Sequence, residues 1–144
     1  MTEVLFRGKR VDNRGWVYGY YCPMCFGRFP CKPAIVPEPD GAWEPVAIKE
    51  NSLCEYTTLT DNNGTKIFNG DIIHIQHEDT LFGEFGEQFL MEYDAIVMFV
   101  DGCYITRGIC NGRVIVNTLS VYSPDEIEVI GNIIDNPELI EVEQ

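Results

Sequence analysis

Residues 56–75, YTTLTDNNGTKIFNGDIIHI, hold two turn signals directly ahead of an alternating apolar run. Residues 61–64, Asp-Asn-Asn-Gly, tolerate positive φ and predict a tight hairpin between short strands at 56–59 and 66–68. The Asn-Gly-Asp at 69–71 reverses the chain again before 72–77, where alternation predicts a strand with one buried face. Two turns this close together predict a compact corner, as small and strongly bent barrels require.

Strand signals continue on both sides of this corner. Asp101-Gly102 and Asn111-Gly112 are hairpin turns, and they separate predicted strands that lie at 95–100, 103–106 and 113–119. A last strand is predicted at 126–134. Near the N-terminus, residues 4–7 and 15–21 predict a further hairpin.

Two segments lack strand patterning. Residues 22–45 contain six of the eight prolines, which excludes a continuous helix or a central strand there. Residues 78–94 carry six acidic residues and several aromatic ones at irregular intervals. We expect a long acidic loop, with a short helix over residues 87–92.

The charge is unevenly distributed along the chain. The 144 residues have a formal net charge of −13, but residues 1–32 hold six Lys or Arg against two acidic residues. Binding to duplex DNA requires clustered cations that displace counterions, so the acidic remainder disfavours it. No stretch approaches the roughly 20 apolar residues of a membrane span, and no signal peptide is recognisable, so we expect a cytoplasmic protein.

The cysteines are the main candidate for chemistry. Cys22-Pro-Met-Cys25 has the spacing of a zinc knuckle, and Cys31 could add a third ligand. A fourth ligand is then needed from a distant position, namely Cys54, His74 or His77. A second close cysteine pair is missing, because Cys103 and Cys110 lie six residues apart. Ordinary reduced thiols are therefore favoured over zinc or a redox role, and no cofactor is expected.

Other polar residues favour structural roles. His74 and His77 point to opposite faces of a strand and are expected to be satisfied structural imidazoles. Asp61, Asp71 and Asp101 adjoin Gly or Asn in turns, where carboxylates accept local backbone hydrogen bonds. No phosphate loop, nucleophile elbow or HExxH helix is present, so we expect no catalytic residue and no enzyme.

An aromatic run lies near basic residues in the N-terminal hairpin. Trp16, Tyr18 and Tyr20 share one face of the predicted strand at 15–21. They could stack nucleic-acid bases, with basic side chains nearby at Arg7, Lys9, Arg10 and Arg14. Packing in the core is the favoured interpretation of the three rings.

Several of these motifs recur in one order that matches a known family. The motifs are FRGK at 6–9, GWVYG at 15–19, YTxLxDxNGxxIFxGDII at 56–73, EVIGNI at 128–133 and NPEL at 136–139. In these residues the chain resembles the YopX family of phage and prophage proteins. The resemblance implies a mainly β protein whose C-terminal part forms an SH3-like barrel, and it implies no activity.

Two positions depart from the family pattern. The family usually has YTGL where this chain has Tyr56-Thr57-Thr58-Leu59, and Thr58 is β-branched and poorly suited to positive φ. The family's usual acidic residue before Gly-Asp is Asn69 here. Cys22, Cys25 and Cys31 lie outside the matching motifs, so the resemblance implies no role for them.

These observations predict a mainly β protein in two parts. Residues 1–54 form an N-terminal β segment with a Pro- and Cys-rich loop, and residues 55–144 form the SH3-like barrel. The favoured function is a non-enzymatic interaction module that binds a host or phage protein, or its own copies. The alternative is a role with nucleic acid, either DNA mimicry by the acidic surface or single-strand binding by the basic N-terminal segment.

Overall fold

A computed structural model describes residues 5–23, 32–37, 44–80 and 88–140 of the chain. The prediction of a mainly β protein is confirmed, because the regular structure of these residues is strand apart from short 3₁₀ turns. The chain forms two compact units, Met1–Thr58 (unit 1) and Leu59–Gln144 (unit 2). The predicted division after residue 54 falls at the start of the strand that crosses from one unit to the next.

The described residues contain eleven strands. They are β1 Phe6–Lys9, β2 Trp16–Tyr21, β3 Ala34–Pro37, β4 Val46–Ala47, β5 Cys54–Thr60, β6 Lys66–Phe68, β7 Asp71–Thr80, β8 Gln88–Val100, β9 Cys103–Cys110, β10 Arg113–Thr118 and β11 Ile127–Asn132. Three 3₁₀ turns follow β10 and β11, at Leu119–Val121, Pro124–Glu126 and Pro137–Leu139.

The strands form two antiparallel sheets, one of order β4-β3-β2-β1-β5-β6 and one of order β10-β9-β8-β7-β11. Among the described residues, neither sheet closes on itself, because each order begins and ends on a different strand. The expected SH3-like barrel is therefore not confirmed. The observed architecture is a pair of open antiparallel sheets.

The N-terminal hairpin is confirmed, since β1 pairs with β2 in the register Phe6↔Gly19 to Lys9↔Trp16. One face of this hairpin packs on a small core that contains Val17, Ile35 and Ile48. Gly8 allows this close approach, because a Cβ at that position would lie within 2.9 Å of three Ile48 side-chain atoms. Ile35 belongs to β3, which pairs with β2 on one side and β4 on the other, so the exclusion of a central strand from the Pro-rich segment is wrong for Ala34–Pro37.

The corner predicted from residues 56–75 is confirmed. Asp61 follows β5, and its Oδ1 accepts hydrogen bonds from the backbone N–H groups of Asn63 and Thr65, both at 2.9 Å. The second turn is fixed by Asp71, whose Oδ2 accepts a 2.7 Å hydrogen bond from the Phe68 N–H. Gly70 lies between Phe68 and Asp71, and its φ of 89° is a conformation that favours glycine.

The long acidic loop expected at residues 78–94, with a short helix at 87–92, is wrong where the structure describes it. Residues 71–80 and 88–100 form the paired strands β7 and β8. Along β8, the buried residues Tyr93, Ala95 and Val97 alternate with the exposed or half-buried Glu92 and Asp94. The carboxylates thus point away from the core at every second position, which is strand periodicity. Residues 81–87 lie outside the described ranges.

Both hairpins predicted from Asp-Gly and Asn-Gly are confirmed. Asp101 and Gly102 have φ values of 50° and 84°, and they join β8 to β9. Asn111 and Gly112 have φ values of 53° and 78°, and they join β9 to β10. Positive φ at both central residues defines the type I′ turn, whose twist matches that of the paired strands.

The core of unit 2 lies on one face of its five-stranded sheet. Its fully or nearly buried apolar side chains are Ile67, Ile73, Ile75, Tyr93, Ala95, Val97, Leu119, Tyr122 and Ile127. Leu119 and Tyr122 come from the segment between β10 and β11, so this connection passes over the core face. The opposite sheet face carries mostly polar, half-buried or exposed side chains of the same strands, apart from the fully buried Ile72.

Thr58 takes the backbone conformation that the family pattern reserves for glycine. Its φ is 72°, although its side chain is β-branched. This left-handed conformation costs an L-residue roughly 1–2 kcal/mol relative to glycine. Thr58 therefore adds backbone strain within β5.

Candidate functional site

The two edge strands of the five-stranded sheet differ in how they are covered. At β11, the carboxylate of Asp61 accepts a 2.9 Å hydrogen bond from the Val129 N–H, and the Asn62 N–H donates to the Ile127 carbonyl at 3.0 Å. The corner therefore seals the outer side of β11. Asp61 is buried, which raises its carboxyl pKa, but the three backbone N–H donors outweigh burial and hold that pKa below its ordinary value.

At the other edge, no strand in the described part of the chain pairs with the outer side of β10. The two-residue turn makes Cys110 and Arg113 a hydrogen-bonded pair, so alternate residues of β10 direct their N–H and C=O groups toward β9. Consistent with this register, the Asn117 carbonyl faces β9 and accepts a hydrogen bond from Thr106 Oγ1. The N–H and C=O groups that face outward belong to Val114, Val116 and Thr118.

Proteins protect sheet edges with short strands, bulges, prolines and charges. The edge strand β4 has two residues, and β6 has three, including a lysine. β11 has a bulge between Val129 and Gly131 in addition to its cover. β10 has six residues and neither a proline nor a bulge, and its one charged residue, Arg113, stands at its start. Within the described ranges, β10 is the long edge without protection.

The surface beside β10 is apolar apart from the half-buried Arg107, which lies opposite Val116. Val114 and Val116 are 45% and 52% exposed. They share a sheet face with Ile109 and Ile105 of β9, which are half-buried. We call the outward groups of β10 and these four side chains the β10 surface.

The charge of the β10 surface contrasts with that of the unit around it. Unit 1 carries seven Lys or Arg against seven Asp or Glu, whereas unit 2 carries three against sixteen. Residues 103–118, which form the β9–β10 hairpin, contain two arginines and no acidic residue. The hairpin is therefore a locally basic and apolar segment in a strongly acidic unit.

A second candidate site is a cleft of about 300 Å³ on the same sheet face as the β10 surface. This volume lies at the lower limit of small-molecule sites. His74 lies in the cleft, and Asp94 Oδ1 lies 2.7 Å from its Nδ1, while Glu92 Oε1 lies 2.9 Å from its Nε2. Arg107, Leu139 and Ile140 also line the cleft.

The charges in the cleft are mutually satisfied. The hydrogen bond that Asp94 accepts from His74 is the main cause that raises the pKa of His74, with Glu92 adding to it against partial burial. The pKa of Glu92 is lowered, first by the Gln76 amide at 3.1 Å and then by His74. A carboxylate on each nitrogen favours the charged form of the imidazole and leaves no nitrogen for a metal ion.

His77 lies on the opposite face, as predicted, and also contacts a carboxylate. Its Nδ1 forms a short hydrogen bond with Glu126, and its ring meets Tyr122 edge to face at 5.1 Å. Burial acts to raise the pKa of Glu126, but hydrogen bonds from the Ser123 backbone and from His77 lower it overall. The Tyr122 hydroxyl lies 2.8 Å from that of Tyr93, so this network closes one end of the core.

The predicted zinc ligands are not brought together in the described part of the chain. Cys25 and Cys31 lie outside the described residues, so the predicted set with Cys22 stays untested. Cys22 itself is exposed, and Cys54 is buried with its Sγ directed at the Ser52 carbonyl, 3.4 Å away. Among the described residues, no three His, Cys, Asp or Glu side chains are arranged to hold a metal ion.

The expectation that the aromatic run packs in the core is wrong for two of its three rings. Tyr18 and Tyr20 are 45% and 49% exposed. Trp16 is half-buried, and the Arg7 guanidinium lies 4.7 Å from its ring centroid, with the Lys9 ammonium at 5.6 Å. The strand alternates as predicted, but Val17 and Gly19 face the small core of unit 1 and the tyrosines face outward.

Sequence reasoning missed the carboxylate partners of both histidines. Glu92 and Asp94 were assigned to a loop, and Glu126 was assigned only to the end of a strand. The register of a hairpin could have revealed the contacts of His74. If residues 71–80 and 88–100 are paired as antiparallel strands, His74 lies opposite Asp94 and Gln76 opposite Glu92. The contact between His77 and Glu126 spans 49 residues and carries no local signal.

The two open sheets define an all-β protein, and within the described ranges the β10 edge has no partner strand on its outer side. Comparison with known proteins then gives the family. The family model described as YopX protein matches residues 31–141, and the chain belongs to the YopX family. The resemblance noted in the sequence motifs is thereby confirmed.

A solved structure supports the fold. The crystal structure of protein EF1440 from Enterococcus faecalis is similar with a TM-score of 0.51 and 20% sequence identity, over 98% of this chain and 100% of that one. At this identity the similarity shows a shared fold alone. No functionally curated protein matches the chain. In the described ranges there is also no helix with the length and hydrophobicity needed to cross a bilayer.

Proposed function

We propose that this protein is a non-enzymatic interaction module that binds a protein partner by adding one of the partner's strands to β10. The observation that carries the proposal is the six-residue, unprotected edge of β10, with the backbone groups of Val114, Val116 and Thr118 directed outward. Strand addition uses these backbone groups for affinity and alternate side chains for specificity. The module would act in the cytoplasm of a cell that carries the phage or prophage.

The side chains of the β10 surface suit this binding mode. Val114 and Val116 lie on one face of the edge strand, where an added strand would place its own alternate side chains beside them. β-Branched neighbours across antiparallel strands contribute roughly 0.2–1 kcal/mol each. The surface therefore offers both hydrogen bonds and apolar contacts to an extended segment.

The polar clusters of unit 2 support the non-enzymatic part of the proposal. A general base needs a nitrogen or oxygen that is accessible to substrate. In the cleft, both nitrogens of His74 are engaged by Asp94 and Glu92, and His77 is engaged by Glu126 beneath the core tyrosines. These contacts give the histidines structural roles.

The test compares capture of cellular proteins by the wild type and by Val116→Pro. Because the Val116 N–H faces outward, proline there removes an outward donor and leaves the β9 ladder intact. Val116→Thr is the matched control, since it keeps the N–H and the branched shape. We expect a protein that is retained by the wild type and Val116→Thr at both 50 mM and 500 mM salt, and is lost from Val116→Pro.

Two outcomes would overturn this proposal. Equal capture by Val116→Pro and the wild type would place binding elsewhere on the molecule. Capture that disappears at 500 mM salt would indicate an electrostatic surface. At this concentration the Debye length is about 5 Å, so attraction between exposed charges that are farther apart is screened. That second result would support DNA mimicry by the sixteen acidic residues of unit 2, with a DNA-binding protein as the captured species.

A second candidate function is single-strand nucleic-acid binding by unit 1. The exposed rings of Tyr18 and Tyr20, on the strand face that also carries Lys9, favour it. Stacking of a base on an aromatic side chain contributes roughly 1–3 kcal/mol. Fluorescence anisotropy with a labelled 20-nucleotide single strand tests it: Tyr20→Ala should weaken binding at least about fivefold, and Val11→Ala, at an exposed apolar position of the adjoining turn, should not.

A further inference from the structure

We propose that the strand that occupies the β10 edge comes from a second copy of this chain, so that two β10 strands pair antiparallel about a two-fold axis through Val116. This inference rests on the proposed function and names its partner. The pairing would join the two five-stranded sheets into one sheet of ten strands. C2 dimers of this kind are isologous, because the same strand contributes on both sides.

The register follows from the outward groups. In an antiparallel pair, residues that exchange hydrogen bonds must both direct their N–H and C=O groups at the partner strand. On β10 these are Val114, Val116 and Thr118 only. Pairing Val116 with the same residue of the second copy sets Val114 opposite Thr118 in both directions. All six outward groups on each copy then find a partner, which closes the edge on both chains.

The side chains tolerate this register without conflict. The facing pairs are Val116 with its equivalent, and Val114 with Thr118, and all of them are β-branched and favourable across strands. Arg113 is the one charged residue of β10. It lies three residues from the axis, so the two copies of Arg113 would be roughly 20 Å apart at about 3.3 Å per residue. That distance exceeds the Debye length of about 8–10 Å at physiological salt.

Charge distribution selects this edge for contact between copies. Unit 2 has a formal charge of −13, so two copies repel each other across most of their surface. The β9–β10 hairpin is the exception, because residues 103–118 contain no Asp or Glu. The chain can therefore approach its copy at β10 with the least repulsion, and salt should strengthen the contact by screening the remainder.

The first experiment is sedimentation velocity on the purified full chain between 1 and 300 µM. An interface of one strand pair is smaller than the roughly 1,200–2,000 Å² of stable complexes, so we expect a reversible dimer with a dissociation constant on the order of tens of micromolar. Raising NaCl from 50 to 500 mM should lower that constant. Val116→Pro should stay monomeric throughout, whereas Val116→Thr should dimerise within about threefold of the wild type.

The second experiment reads the register directly by amide hydrogen exchange of the ¹⁵N-labelled chain at low and high concentration. When nine-tenths of the chains are paired, exchange at Val114, Val116 and Thr118 should slow about tenfold. Arg113, Ile115 and Asn117 already donate to β9, so their rates should not change with concentration. This alternation within one strand distinguishes edge pairing from a general gain in stability.

The outcomes separate this inference from the proposed function. A wild type that is monomeric at 300 µM overturns the second copy as the occupant. If such a monomer still captures a different protein in a manner abolished by Val116→Pro, the interaction module stands with another partner. Dimerisation that survives Val116→Pro, or protection at Ile115 and Asn117 in place of Val116, overturns the proposed register.

Discussion

The two edge strands of the five-stranded sheet, β11 and β10, differ in whether their outward backbone groups have hydrogen-bond partners. At β11, Asp61 and Asn62 cover the strand with hydrogen bonds to Val129 and Ile127. At β10, the outward N–H and C=O groups of Val114, Val116 and Thr118 face away from every described strand. Because an uncovered edge invites pairing with another chain, β10 is the side of the sheet where we propose that binding occurs, and β11 is the side that the corner stabilises.

The sealed edge should carry the larger stability effects. Ile127 of β11 is 2% exposed and packs in the core, whereas Val116 of β10 is 52% exposed. We expect Ile127→Ala to lower the free energy of unfolding by about 3–4 kcal/mol and Val116→Ala to change it by less than about 0.5 kcal/mol. Urea unfolding at 1 µM protein measures both without a contribution from self-association.

A similar loss from the two variants would contradict the distinction between the edges. It would mean that β10 is packed against part of the chain as firmly as β11. The slope of the unfolding curve checks that both variants expose the same surface on unfolding.

Removing the hydrogen bonds that cover β11 should also lower the free energy of unfolding. Asp61→Ala deletes the acceptor for the N–H groups of Val129, Asn63 and Thr65. Because Asn63 and Thr65 are exposed and can bond water, we expect a loss of about 2–3 kcal/mol, most of it from Val129 and the corner. Asp125→Ala, at an exposed position, is the matched control and should cost less than about 0.5 kcal/mol.

The Asp61 effect should depend on pH with a definite sign. Its pKa is lowered in the folded protein, so its contribution is complete above the unfolded pKa of about 3.9 and is lost as pH falls through the folded value. The difference in stability between wild type and Asp61→Ala should therefore shrink below pH 4. A difference that is constant down to pH 2 would contradict the role given to the carboxylate.

His74 tests whether β7, the neighbour of the sealed edge, is held by charge. Its pKa is raised by Asp94 and Glu92, so its stabilisation is complete below the unfolded pKa of about 6.5 and is lost as pH rises through the folded value. The side chain is about a third exposed, so solvent screening limits the effect to about 1 kcal/mol. Urea unfolding of His74→Asn should show this loss at pH 6 and a smaller one at pH 8.5.

Gln76→Ala is the control for this titration, because its amide bonds Glu92 but does not ionise. Its stability change should be the same at both pH values. If the stability changes of both variants depended equally on pH, ionisation of His74 would not be the cause of that dependence.

Much of the strand content was predictable because its signals are local. The Asp-Gly turn at residue 101 and the Asn-Gly turn at residue 111 each require positive φ, and each placed a hairpin correctly. The hairpin of β7 and β8 was missed because acidic Glu92 and Asp94 alternate with the buried face, and their charge suggested a loop. The alternation of apolar and polar residues at every second position predicts this strand, whereas the summed charge of the segment does not.

The difference between the edges was beyond prediction from local sequence. Asp61 reaches Val129 across 68 residues, and only the folded corner brings them together. Likewise, β10 is an edge only because of the order of strands in the sheet, which hydrophobic spacing does not determine. The sequence predicted Asp61 as a turn residue, and the structure adds its second role as the cover of β11.

The smallest effect concerns the strand that leads into the corner. Thr58 of β5 has φ of 72°, so Thr58→Gly should relieve roughly 1–2 kcal/mol of strain. The greater freedom of glycine in the unfolded chain offsets about 0.4–1 kcal/mol of that gain. We expect a net stabilisation of about 0.5–1 kcal/mol in urea unfolding. Thr60→Gly, in the same strand without positive φ, should instead destabilise, and a loss of stability in both variants would show that the Thr58 side chain contributes more than its backbone strain costs.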